Sequence, residues 1–315
     1  MLVLAGKPEE LIDAVIDDAG LRQMARNIWN PPWKERLKQD RKLRRKIKNY
    51  LKADTRVFTN EGRARRVVVV QTGADFFIYA RSDSAYLQAM KDIYAPNVEP
   101  GIRFPDRGMR RYWDKWAKGT PYIHVHGPFG AWKRGVEAGF KMWWPRNYPE
   151  EKKRRKIRRG DARTWYVTGK PRFAKRVKHE CRAIEGSDEL LPLIIQGVEY
   201  GREARDYLRD CLLLGPSFVC EVKGEPVCWA ATHMNGTMGM IYTPPEHRRK
   251  GYALSLAAFQ MDWMLRRDGT AVAHVILGNR ASENLLLAFG AKHSPGSMTW
   301  RTLRWPRWKR KKLKG

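Results

Sequence analysis

The stretch Met240-Ile-Tyr-Thr-Pro-Pro-Glu-His-Arg-Arg-Lys-Gly-Tyr-Ala253 decides the fold. It reads as a strand stopped by Pro244 and Pro245, which donate no ladder hydrogen bond, and then a basic, glycine-bearing approach to a long amphipathic helix. Helical residues are expected from about Arg249, so the amides of Arg249, Lys250, Gly251, Tyr252 and Ala253 become first-turn donors without intrahelical acceptors. Free amides at the positive end of a helix dipole bind diphosphate. Gly251 and Ala253 are small enough to let a diphosphate reach the backbone, while Arg248, Arg249 and Lys250 add positive charge. The alternative is a plain capped surface helix, but basic residues in a first turn oppose the dipole, which a purely structural helix tends to avoid.

The spacing Arg248-x-x-Gly251-x-Ala253 resembles the R/Q-x-x-G-x-G/A pyrophosphate signature of the GNAT superfamily of acyl-CoA N-acyltransferases. Upstream, Gly224-Glu-Pro-Val-Cys-Trp229 and Asn235-Gly-Thr-Met-Gly-Met240 are similar to the hairpin of the glycine N-acyltransferase branch of that superfamily. Downstream, Asn279-x-x-Ser282-x-x-Leu285 resembles its last helix, and residues before about 160 carry no such likeness. The resemblance implies an α/β (α+β) fold whose C-terminal part is a mixed, twisted sheet flanked by helices. It implies acyl-CoA as cofactor, acetyl-CoA first, with the thioester along residues 237–242 and the pantetheine on the edge of Met240, Ile241 and Tyr242, where the sheet splays. The acceptor amine then comes from the opposite side, and Asn279 and Ser282 lie where the family sets polar groups against the cofactor; for Ser282 a plain helix cap is the alternative.

Two departures from the family bear on catalysis. Glycine N-acyltransferases place a glutamate believed to be the base where this chain has Thr237, and a hydroxyl is a poor base at neutral pH. Many other GNAT enzymes carry a tyrosine acid where this chain has Leu286. The substitutes offered by the neighbouring sequence are Tyr242, His233 and His274, then His247, with Cys228 behind them, each also readable as an ordinary structural residue.

Lys and Arg number 62 against 33 Asp and Glu, a net +29 on 315 residues, and such an excess calls for a polyanionic partner. The cations fall in blocks: a helix expected over 34–52 with one basic face, a run at 152–159, and the tail from Arg301. Several of the 13 tryptophans, including Trp33, Trp113, Trp116, Trp305 and Trp308, stand among these cations rather than in apolar runs, a pattern suited to stacking on bases. For 34–52 alone, a solvated helix face is the equal alternative.

The chain is expected to hold a basic α+β domain over 1–160, ending in a cationic linker, an acyltransferase domain over 161–305, and a basic tail over 306–315. Helices are expected over 8–29, 83–94 and 109–118, with a hairpin over 66–80. His124 and His126 share a face of a strand at 122–126, but no third ligand is near them, so no metal site is expected. Cys181, Cys211, Cys220 and Cys228 have no metal-site spacing and read as reduced, buried thiols, and no membrane-spanning or secretory segment is visible, so a cytoplasmic protein is expected. The sequence shows no internal repeat and leaves the oligomeric state open.

Three functions follow. The first is an acyl-CoA-dependent N-acyltransferase acting on nucleic acid, DNA before RNA, or on an amine attached to it, as in phage-type DNA base modification. The second is an acyltransferase for a protein lysine or a small amine. The third is a catalytically inactive GNAT fold used as a nucleic-acid-binding module; the intact phosphate loop argues against it and the missing glutamate argues for it.

Overall fold

The computed structural model describes residues 2–31, 33–47, 55–60, 66–72, 75–82, 84–85, 88–89, 122–128, 159–170, 172–198, 205–295 and 298–304. Most of the helix expected over 83–94, all of that over 109–118, the basic run at 152–158 and the tail from 305 lie outside them, as do the side chains of His124 and His126.

In chain order the elements begin β1 (Leu2–Leu4), α1 (Pro8–Val15), α2 (Ala19–Trp29), α3 (Lys34–Gln39), α4 (Arg41–Lys46), β2 (Thr55–Asn60), β3 (Val67–Thr72), β4 (Asp75–Ala80) and β5 (Tyr122–Pro128). They continue β6 (Arg159–Thr168), β7 (Cys181–Glu185), α5 (Leu191–Gly197), α6 (Arg205–Leu214), β8 (Pro216–Val222), β9 (Glu225–Thr232) and β10 (Met238–Tyr242). Last come α7 (Tyr252–Asp268), β11 (Thr270–Ile276), α8 (Arg280–Leu287), β12 (Lys292–His293) and β13 (Met298–Arg304).

These elements fall into two units. The first gathers the described parts of residues 1–11, 52–161 and 298–315. Its strands run in the order β1-β2-β3-β4-β5-β13, antiparallel except for the parallel pair β4 and β5. Val67, Val68, Val69 and Val70 of β3 are all buried, so both faces of this central strand are covered and its sequence is a continuous apolar run rather than an alternating one.

The second unit gathers the described parts of residues 12–51 and 162–297. Its order is β7-β8-β9-β10-β11-β6, again antiparallel except for one parallel pair, β10 and β11, with β12 laid on β6. The two runs of strands therefore repeat one sequence of strand senses, a repeat that the amino-acid sequence does not display. Alternation along the strands sends Phe218, Cys220, Cys228 and Ala230 toward α7, and Val219, Trp229 and Ala231 toward α5 and α6. Ala271, Ala273 and Val275 of β11 join the α7 and α8 core, and α2 packs across β11 as well. The long helix α7 stops at Gly269, whose φ of 68° gives the left-handed cap and returns its amide to the Leu265 carbonyl. All four cysteines are free, with Cys211, Cys220 and Cys228 buried and Cys181 partly so. Among the described residues no helix is long and apolar enough to cross a membrane.

The N-terminal helices differ from expectation, because aspartates interrupt them. The helix expected over 8–29 breaks before Asp18, whose carboxylate accepts the Leu21 amide at 2.9 Å and restarts the helix as α2. Gly20 lies inside α2, where a Cβ would come 2.6 Å from Cδ1 of Tyr166. Asp40 likewise splits the helix expected over 34–52, accepting the Leu43 amide at 2.8 Å. The units also interleave in sequence. Residues 12–51, expected with the N-terminal domain, pack with 162–297: Leu37, Leu43 and Ile47 are buried among Cys211, Leu213, Leu214 and Met234, and Trp33 Nε1 donates to the Met234 carbonyl at 3.0 Å. Residues 298–304, expected in the acyltransferase domain, supply the last strand of the first unit.

Candidate active site

Two irregularities meet at β10. The parallel strands β10 and β11 are paired at one position, Met238 against Ala273, although β10 runs on to Tyr242 and β11 to Ile276. On its other side β10 pairs Gly239 with Ala231 and Tyr242 with Trp229, so Met240 and Ile241 together face the single residue Ala230, and Met240 takes a φ of 54°. This is a β-bulge; it turns the strand and leaves the edge of Met240 to Tyr242 without β11 as partner. An extended amide-bearing group can add to an edge of this kind, as a peptide does in β-augmentation.

The edge leads into the loop. Pro245–His247 forms one 3-10 turn after Pro244, and Arg248 reaches back, its Nε donating to the Thr243 carbonyl at 3.0 Å while its guanidinium lies 5.9 Å from the Tyr242 ring centre. Arg249 and Gly251 both adopt left-handed backbone, with φ of 64° and 87°. The helix therefore begins at Tyr252, not near Arg249, and its first internal bond runs from the Ser255 amide to the Gly251 carbonyl at 3.1 Å. The amides left without an intrahelical acceptor are those of Tyr252, Ala253 and Leu254, with Gly251 ahead of them as cap. Arg248, Arg249, Lys250 and Gly251 are exposed, and a Cβ on Gly251 would touch only His179 Nε2, at 3.5 Å. An open backbone, a helix start and three cations fit a diphosphate.

A segment that the sequence did not single out steadies this loop. His179 Nε2 lies 3.0 Å from the Lys250 carbonyl, and its ring packs 4.4 Å from that of Tyr252. Buried Ser255 accepts the Lys178 amide at 3.1 Å and donates to the Arg176 carbonyl at 3.4 Å. No motif marks residues 176–179, and His179 lies 71 positions from Lys250.

The three catalytic candidates are not brought together. Tyr242 packs against Trp229, 5.4 Å between ring centres, and against Gly197 of α5, where a Cβ would come 2.7 Å from its own. His274 lies on β11 and meets Thr164 of β6 at 3.2 Å, on the side of β11 away from β10. His233 follows β9, and its Nε2 lies against the backbone of Gly239, one residue before the bulge; a Cβ there would come within 2.4 Å. Its Nδ1 pairs with the Tyr207 hydroxyl at 3.0 Å, and burial pushes the imidazole down to about 4, so it is neutral at physiological pH. The separation of 26 positions between Tyr207 and His233 concealed this pair.

The remaining candidates make local contacts. Asn279 caps α8, its side-chain oxygen accepting the Ser282 amide at 3.2 Å, so any contact with a cofactor falls to its NH2 group. His247 stands beside Tyr252, 6.3 Å between rings. Burial pushes the Cys228 thiol up to about 12, and its sulfur accepts from the Thr243 hydroxyl at 3.1 Å, so it is protonated and braces the loop.

The two departures from the family are packed away. Thr237, in the turn before β10, is buried and donates its hydroxyl to Asn235 Oδ1 at 2.8 Å. Thr237→Val is expected to leave the turnover rate within a few-fold of wild type and to cost about 1 kcal/mol of stability for the lost bond. Steady-state kinetics and urea melts read the two effects separately, and a rate loss of several orders of magnitude would make Thr237 catalytic. Leu286 is 4% exposed within the core of α7 and α8. Leu286→Tyr should therefore overpack that core, costing about 1–3 kcal/mol by thermal melt with no gain in rate.

Residues 218–298 match the family model described as FR47-like protein. The X-ray structure of a Drosophila malonogaster protein, a structural-genomics target, superposes with a TM-score of 0.58 at 14% identity, covering 96% of this chain and 98% of that one. A GCN5-related N-acetyltransferase-like protein from Streptococcus suis gives 0.42 at 13% identity over 90% and 98% of the chains. A tandem GNAT protein from the clavulanic acid biosynthesis pathway gives 0.42 at 13% identity over 97% and 99%. At 14% identity the likeness to the Drosophila malonogaster protein is one of fold.

Proposed function

We propose, from the premise that residues 218–298 are an FR47-like, GNAT-related domain, that this chain is an acyl-CoA-dependent N-acyltransferase whose acceptor is an amine carried by nucleic acid. The observation that carries the reading is the continuous path from the unpaired edge of Met240–Tyr242 through the left-handed turns at Arg249 and Gly251 to the start of α7. The edge suits the amides of a pantetheine, and the loop suits the diphosphate. Bound acyl-CoA, acetyl-CoA first, would supply a thioester activated toward an uncharged amine, its C–S bond breaking as the C–N bond forms and the CoA sulfur leaving as the thiolate.

The chain's own groups would then work as follows. The amides of Tyr252 to Leu254, with Arg249 and Lys250, hold the diphosphate, and Arg248 holds the loop closed on Thr243. His233, neutral and set at the bulge by Tyr207, takes the proton that the amine loses as it attacks. A base of such low basicity suits an amine of low basicity, such as the amino group of a nucleobase. The net +29 charge supports a polyanionic acceptor over a free small amine or a protein lysine.

A second reading, a binding module without turnover, draws on the burial of Thr237 and Leu286 at the family's two catalytic positions. One experiment separates the readings. DNA, RNA and protein fractions are incubated with a panel of acyl-CoAs and their intact masses measured. Acyl addition to nucleic acid supports the proposal, addition only to protein moves the acceptor, and CoA binding with no transfer anywhere favours the binding module.

A further inference from the structure

We infer that α3 and α4 form a phosphate-binding wall on the acceptor side of β10, holding a single-stranded nucleic acid while an unpaired base carries its amine to the bulge at Met240. The inference rests on the acyltransferase reading for where the acceptor approaches, and it adds which surface grips the acceptor.

Charge on a solvated helix says little about a partner, and α3 and α4, of six residues each, are too short to be stable alone. Here they are docked. Leu37, Leu43 and Ile47 are 4%, 6% and 9% exposed, Asp40 caps the break between the helices, and the Trp33 indole is bonded to Met234. The apolar cluster that anchors them is rimmed by Trp33, Tyr207 and Met240. Met240 is the bulge residue, and Tyr207 holds His233. The same packing that fixes α3 and α4 thus sets their apolar stripe in the cluster that Met240 and Tyr207 rim and leaves Arg41 and Lys42 on its solvent side.

That outer face is cationic: Arg41 and Lys42 are exposed and Lys34 is half-buried. Among the described carboxylates of α6 and of the α3–α4 junction, Asp40 is bonded through Oδ1 to the Leu43 amide and Asp210 is buried, while Asp206 is exposed. Holding several like charges on a rigid surface costs free energy that a row of phosphates would recover. Trp33 and Tyr207 at the rim add aromatic edges of the kind that stack on bases. A base within a duplex cannot bring its amino group into a gap between two strands of a sheet, so the acceptor base is unpaired.

The test is the double variant Arg41→Gln/Lys42→Gln, with a labelled single-stranded oligonucleotide as probe and anisotropy measured across a salt series. Loss of two phosphate contacts should lower the slope of log affinity against log salt by about 1.4 and weaken binding roughly ten- to thirty-fold near 0.1 M salt. The charge-conserving Arg41→Lys/Lys42→Arg pair should restore both. Thermal melting and CoA affinity should stay at wild-type values, because both side chains are exposed. An unchanged slope and affinity in the double variant would overturn the inference even if the protein binds nucleic acid elsewhere. Competition by polyglutamate as strong as by the oligonucleotide would overturn it in favour of an acidic protein. Tighter binding of duplex than of single strand would overturn the unpaired-base requirement. A protein that binds no CoA but shows the expected salt slopes would instead sink the acyltransferase reading and leave the polyanion surface standing.

Discussion

Gly251→Asp is expected to weaken CoA binding on the order of a hundredfold to a thousandfold, with the protein still folded. The side chain meets little protein: a Cβ would sit at ordinary contact distance, 3.5 Å, from His179 Nε2. Two other effects act. Gly251 has φ +87°, where an L residue costs about 1–2 kcal/mol, so the loop would shift the amides it presents. The carboxylate would also stand where the diphosphate binds, and like charges about 4 Å apart repel by about 4 kcal/mol at an effective dielectric near 20. Gly251→Ala carries only the first effect and should cost roughly tenfold, which separates geometry from charge. Calorimetric titration of CoA into the three proteins reads this order, and equal affinities would remove the phosphate loop from the account.

The second large effect is at His233. His233→Ala is expected to lower kcat by about 10²- to 10⁴-fold, the usual contribution of a positioned base, and to leave CoA affinity unchanged. Tyr207→Phe, which keeps the ring and removes the hydroxyl bonded to Nδ1, should lose less. The pH dependence has a definite sign. Burial holds the folded imidazole near 4, below its ordinary value near 6.5, so between those pH values the unfolded chain binds more protons. Stability should therefore rise with pH across that window and level off above it, and His233→Ala should flatten the rise. An activity limb near pH 6.5 instead of near 4, or a variant with wild-type turnover, would exclude His233 as the base.

What the sequence disclosed and what it hid have different physical origins. The strand, the paired prolines and the helix around Gly251 were readable because each rests on local backbone chemistry. The start of that helix was misplaced by about three residues, because Arg249 takes left-handed backbone, a state that non-glycine residues enter only when tertiary structure holds them there. The bulge at Met240 was hidden for the same reason. The Tyr207 and His233 pair, and the hold of His179 on Lys250, join residues far apart in the chain, and single-sequence periodicity carries no information on such pairings. The docking of residues 33–47 onto 162–297 follows this rule too: Leu37, Leu43 and Ile47 announced an apolar stripe but not what it would cover.

β13 closes the sheet of the first unit against β5, although it is made of residues 298–304. A ribosome that has delivered residue 161 has released every other strand of that sheet, and the edge of β5 then waits for the remainder of the protein to be synthesised. The first unit is thus the earlier in sequence and the later to be completed. An uncovered strand edge held open for that interval is a site for pairing with another nascent chain. For the same reason a fragment cut at residue 161 would be an incomplete sheet, and its solubility, not its activity, would be the first property lost.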